Sequence, residues 1–137
     1  MKLIVCFTFC LISMGGLAQQ TDLTVKIEGL HSEEGTVLLA MYSSKDEFLG
    51  DDILTGKEGR LQNGRVTILL EGIPYGEYAI STFIDKNENG LLDTNFIGIP
   101  KEPYAFSMNA SNNFGPPSFK EAAFELDSPN QTITITY

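Results

Sequence analysis

Oxygen-bearing side chains recur at alternate positions in the stretch Asp85-Lys86-Asn87-Glu88-Asn89-Gly90-Leu91-Leu92-Asp93. Asp85, Asn87 and Asn89 are spaced so that their side chains can turn toward one centre, and Gly90 allows the chain to bend sharply behind it. Leu91 would offer its carbonyl, and Asp93 a carboxylate, directly or through water. Lys86, Glu88 and Leu92 fall between these positions and should point away. The chemistry this suits is a hard cation with six to eight oxygen ligands, which is calcium. Magnesium demands a stiffer octahedron and keeps its waters.

The pattern departs from an EF-hand at its end. The twelfth position is Phe96 instead of a bidentate glutamate, and no helical pattern flanks the loop. Two carboxylates and two amides predict a weak site, on the order of 10⁻⁴ to 10⁻³ M. Asn95 or Glu102 could complete the shell. A competing reading needs no ion: Asn89-Gly90 is a turn signal by itself, and Asp85 and Asn87 can cap it through backbone bonds. Enzyme chemistry finds little support. The chain has one histidine, His31, in an expected turn. It has no Gly-x-Ser-x-Gly elbow and no phosphate-cradling glycine loop. Asp85 and Asp93 could be read as a glycosidase pair, but their place in one ion-type loop argues against it. The expectation is a protein that is not an enzyme.

The elements that must hold this loop are strands. Apolar residues alternate in Asp22 to Gly29 (Leu23, Val25, Ile27), Arg65 to Glu71 (Val66, Ile68, Leu70) and Gln131 to Tyr137 (Ile133, Ile135, Tyr137). Gly35 to Ser43 sets Val37, Leu39 and Met41 against Leu38, Ala40 and Tyr42. Glu77 to Asp85 carries Tyr78, Ile80 and Phe83. Ala122 to Asp127 is a sixth candidate and Ile53 to Lys57 a short seventh. Ser44 to Leu49 reads as one helical turn, with Ser44 and Glu47 spaced as a capping box. The expected fold is all-β: a single antiparallel β-sandwich of about seven strands, immunoglobulin/transthyretin-like, with a small barrel as the alternative. Pro74-x-Gly76-x-Tyr78 fits a sandwich strand entry whose tyrosine hydroxyl bonds back to upstream backbone. One long irregular loop follows the strand ending at Asp85. Its apolar residues Phe96, Ile97, Ile99, Tyr104, Phe106, Phe114 and Phe119 are expected to fold back and bury themselves, because a long structureless loop is unusual in a compact domain.

Targeting and charge narrow the setting. Lys2, the uncharged apolar run Leu3 to Leu17 and small residues at Gly16 and Ala18 predict a signal peptide over 1–18, leaving one β-sandwich domain over 19–137. Both cysteines, Cys6 and Cys10, lie inside that signal, so the mature domain is expected to hold no disulfide and no thiolate. The formal charge is −9. Such a field argues against nucleic acid and anionic membranes and favours cations. The expected location is exported: periplasm, cell surface or secreted, with no membrane insertion after cleavage. A monomer is expected, although Gln131 to Tyr137 is a candidate edge strand.

Linked motifs carry a family resemblance. Asp85-x-Asn87-x-Asn89-Gly90-x-Leu92-Asp93, Gly98-Ile99-Pro100-x-Glu102, Ala105-Phe106-Ser107 and Phe114-Gly115-Pro116-Pro117-Ser118-Phe119-x-x-Ala122-x-Phe124, with Pro74-x-Gly76-x-Tyr78 upstream, resemble the bacterial exported family called domain of unknown function 2141. Ala105 stands where glycine is usual and Met108 where a polar residue is expected. The resemblance implies a β-sandwich behind a signal peptide and supplies no substrate. The leading functional expectation is a non-catalytic binding module of the cell envelope. Calcium would stiffen the long loop, and Asn109, Asn112, Asn113 and Phe114 would be offered to a protein or a surface polysaccharide. In the bland reading Phe114 is tucked inward. The rival function is a purely structural envelope component with an ion-free polar turn.

Overall fold

The computed structural model of the protein describes residues 17–31 and 34–137. Most of the expected signal segment, residues 1–16, lies outside the described residues. Among those described, no helix is long and apolar enough to cross a membrane.

Eight strands form two sheets: β1 (Gln20–Glu28), β2 (Thr36–Tyr42), β3 (Thr55–Arg60), β4 (Val66–Pro74), β5 (Gly76–Asp85), β6 (Tyr104–Phe106), β7 (Phe124–Leu126) and β8 (Gln131–Thr136). One sheet runs β4-β1-β8; the other runs β3-β2-β5-β6, with β7 also on β5. Alternation explains why these segments are strands. Leu23, Val25 and Ile27 of β1, Val37, Leu39 and Met41 of β2, Ile68 and Leu70 of β4, and Ile135 of β8 are all buried in one core drawn from both sheets. On β5 the inward residues are Tyr78, Ile80, Thr82 and Ile84. Phe83, expected inward, is half-buried on the opposite face, since period-two alternation from Ile80 reaches Thr82 and Ile84 instead. The Tyr78 hydroxyl donates to the Pro74 carbonyl at 2.6 Å, which is the back-bond expected from the strand entry.

Two features depart from an all-antiparallel seven-stranded sandwich. First, β8 runs parallel to β1. The chain leaves β7, which lies on the other sheet, and crosses directly to the free edge of β1, so no long crossover is needed to bring two strands into the same direction. Second, β6 adds an eighth strand inside the segment expected to be irregular. It pairs Ser81 to Phe83 of β5, and only three residues are needed.

β3 begins at Thr55 and extends three residues beyond the expected end, to Arg60. Its sequence, Thr-Gly-Lys-Glu-Gly-Arg, has no apolar alternation because it sits where the two sheets converge. A Cβ on Gly59 would stand 2.7 Å from a Val66 methyl, so a larger residue there would force the two edges to shift. Lys57 caps the Leu69 carbonyl across that seam at 2.6 Å. Residues 44–49 form turns and no helix; Glu47 there accepts from the hydroxyl of Ser43, not Ser44. The real capping box is at Ser118 and Glu121, opening the four-residue helix α1 (Phe119–Ala122). The Ser118 amide donates to the Glu121 carboxylate at 2.7 Å, and this backbone bond, with that of the Ser118 hydroxyl, holds the carboxyl below its usual range.

Helix α1 covers a second, smaller core on the outer face of the five-stranded sheet. Ala79, Phe106, Phe119 and Ala122 pack there with Phe48. The Phe48 ring stands edge-on to Phe119 at 5.8 Å and to Tyr42 at 5.4 Å. Ser107, fully buried, joins three elements: its hydroxyl accepts from the Ile80 amide at 2.9 Å and donates to the Ala122 carbonyl.

Candidate functional site

Strand direction gathers the chemistry at one end. β1, β3, β5 and β8 all end there, and β2 and β4 begin there, so residues 29–31, 34–35, 61–65 and 86–103 share that end with Tyr137. The Asp85–Asp93 loop springs from the last residue of the central strand β5, which fixes Asp85 by pairing with Thr36.

Asp85 is 3% exposed. Its two carboxylate oxygens accept from the Asn89 amide at 3.2 Å and the Gly90 amide at 2.6 Å, pulling the loop into a tight turn. Gly90 takes φ +76°, a left-handed conformation that the sixth position was expected to need. Asp93 closes the ring: its carboxylate accepts from the Asn89 side-chain amide at 3.0 Å and from that of Asn87. The side-chain oxygens of Asn87 and Asn89 are turned to the backbone, accepting from Asn89 N at 3.3 Å and Leu91 N at 2.9 Å. Asp85, Asn87, Asn89 and Asp93 are thus joined in one hydrogen-bonded ring. Leu91 enters it through its amide, and its side chain is 68% exposed.

The two residues considered for completing the shell are engaged otherwise. Asn95 accepts from Ile97 N at 3.0 Å and Ile99 N at 2.9 Å, and so organises a separate tip bridged between Thr94 and Pro100. Glu102 is 6% exposed and grips the loop from outside. Its oxygens accept from Lys86 N at 2.9 Å and Asp93 N at 3.1 Å, the two amides just inside the loop's ends. The sequence offers Glu102 as one of two residues that could complete an ion's shell and does not reveal this fastening role; its position in the Gly98-Ile99-Pro100-x-Glu102 motif is the available signal.

The expectation that the long loop buries its apolar residues holds for Phe106 and Phe119, at 6% and 8% exposure, and fails for others. Phe96 is 99% and Phe114 98% exposed, with Ile97 and Ile99 also out. Backbone and side-chain bonds, not apolar packing, stabilise these segments, so their large residues are left in solvent. Phe114 is therefore not tucked inward. Asn112 accepts from the Phe114 amide, and Asn113 is exposed. Asn109 is used internally: it accepts from Thr136 N at 2.9 Å and so covers part of the outer edge of β8. Among the described residues, the lone ion pair joins Arg60 at the end of β3 to Glu88 in the loop, at 3.3 Å.

The donor set is all oxygen and hard, which fits calcium in type. The fit has a cost. The Asn87 and Asn89 amides present N–H to Asp93, and each would have to turn, giving up its backbone bond, to present oxygen to a cation.

No curated protein and no solved structure matches the chain. The family described as "Uncharacterized protein conserved in bacteria (DUF2141)" matches residues 25–134, which run from the middle of β1 into β8 and include the Asp85–Asp93 loop and Glu102. The chain belongs to that family.

Proposed function

We propose that the protein is a non-catalytic binding module of the bacterial cell envelope whose Asp85–Asp93 loop takes up calcium weakly and so sets the shape of one end of an immunoglobulin/transthyretin-like sandwich. The observation that carries this reading is the ring itself. The side-chain amides of Asn87 and Asn89 both meet the Asp93 carboxylate, Asp85 holds the same turn through the Asn89 and Gly90 backbone amides, and Glu102 fastens the loop at Lys86 and Asp93. Four carboxylates stand against two lysines between residues 85 and 102, so a cation is electrostatically welcome. The exchange of amide bonds for ion bonds keeps the affinity low. An exported setting, where calcium is in the millimolar range, suits such a site. The tip that leaves Phe96, Ile97 and Ile99 exposed together supports a role in contact with a partner, since a group of exposed apolar side chains marks an interaction surface more often than a single one does.

A second reading, a purely structural component, is favoured by the same hydrogen bonds: the ring closes with no ion. Melting curves separate the two. Calcium should raise the Tm of the purified protein, and Asp93→Asn should abolish the rise while leaving the ion-free Tm within a few degrees. A Tm indifferent to calcium favours the structural component.

A further inference from the structure

Both arginines of the chain, Arg60 and Arg65, line one open groove of about 620 Å³ at the loop end. β3 delivers Arg60 as its last residue, and the turn bridged by Gln62 and Arg65 delivers the second just ahead of β4. Gln62, Asn63, Val66 and Thr67 complete the lining. The chain has Asp+Glu 18 against Lys+Arg 9, so a guanidinium has many carboxylates to choose from. Yet Arg65 has no carboxylate partner among the described residues, and Arg60 has only the solvent-exposed Glu88, with the two side chains 72% and 64% exposed. Exposed pairs of this kind are easily exchanged for another anion.

We propose that this groove is a binding site for a carboxylate-bearing saccharide, of the uronic acid type. Each guanidinium is a planar fork that matches a carboxylate through two parallel hydrogen bonds. Gln62, Asn63 and Thr67 supply neutral donors and acceptors suited to sugar hydroxyls. No aromatic ring lines the groove, so the ligand is held by its polar edges rather than stacked. Val66 is the one apolar residue in its lining, which is too little to anchor a large apolar peptide side chain. The site rests on the binding-module reading but does not depend on the ion, because its residues and those of the ring are different. Glu88 joins the two: a ligand carboxylate that takes its place on Arg60 acts one residue from Asn87 and Asn89.

The test titrates the purified protein with a short galacturonate oligomer, a neutral galactose oligomer of equal length, poly-glutamate and inorganic phosphate, with calcium and with chelator, reading backbone amide shifts. The galacturonate oligomer should shift amides of residues 60–67 in both conditions, and the neutral oligomer should not. Arg60→Gln with Arg65→Gln should weaken that binding about tenfold or more with unchanged Tm, since both side chains are on the surface. Equal binding of poly-glutamate or phosphate at these residues overturns the saccharide, leaving plain anion attraction. Galacturonate binding that the arginine variant does not weaken overturns the groove but keeps the module. No binding of any probe overturns the proposal. The calcium reading fails separately, by silence at residues 85–93.

Discussion

Glu102 shows how much one side chain outside a motif can decide. It accepts from the amide of Lys86, just ahead of the Asn87–Asp93 ring, and from that of Asp93, its last residue, and both bonds are partly buried. Replacing it with alanine strips two amides of their acceptor, at about 1–3 kcal/mol in all. Hydrogen exchange at Lys86 and Asp93 should speed up markedly while the core strands stay protected; unchanged protection there would show that the fastening is idle. Tyr78 makes a single bond of this side-chain-to-backbone kind. Tyr78→Phe removes the 2.6 Å bond to Pro74, and about 1 kcal/mol should go with it, a Tm lower by about 4 °C for a domain of this size. The tyrosines also set an alkaline limit. Burial pushes the hydroxyl of Tyr137 far above its ordinary value, partly offset by its 2.8 Å bond with Thr82, and burial raises Tyr78 as well. A folded pKa above the unfolded one means stability that is intact below about pH 10 and lost as pH climbs beyond it. Urea midpoints should therefore be flat through neutrality and fall above pH 10, and absorbance titration should show these two phenols ionising only as the protein unfolds.

At the scale of elements, legibility followed apolar alternation. β1, β2, β4 and β8 were readable because Leu23-Val25-Ile27, Val37-Leu39-Met41, Ile68-Leu70 and Ile133-Ile135 each mark one face. β3 was nearly invisible because its residues answer to sheet closure at Gly59 rather than to a core face. β6 was missed because three residues give no period, and its strand character comes from β5. Ser44-x-x-Glu47 matches the capping-box spacing without forming one, while Ser118-x-x-Glu121 satisfies the same rule and has the buried Phe119 and Ala122 to dock its helix. The ring at Asp85–Asp93 was legible in spacing; which oxygens face inward was not, since amide orientation is decided by local bonds. Helix α1 owes its place to packing, because four residues have no helical stability of their own. Phe119→Ala should cost about 3 kcal/mol and release Phe48. Chemical denaturation would measure the first, and loss of the aromatic circular dichroism signal the second.

Across the whole molecule, one end concentrates both arginines, the acidic ring, His31 and the exposed Phe96 tip, while the opposite end is built of turns and α1. The sandwich serves as a rigid mount, with a core that spans both sheets. In the function proposed above, a divalent ion organises the loop after β5. With a dissociation constant on the order of 10⁻⁴ to 10⁻³ M, calcium at about 10 mM should stabilise the fold by about 1.4–2.7 kcal/mol. The most direct measurement is a calcium titration followed by backbone amide spectra of the purified protein. Saturable shifts confined to residues 85–93 are expected, with a midpoint below a few millimolar. Spectra unchanged at those residues in excess calcium would contradict it.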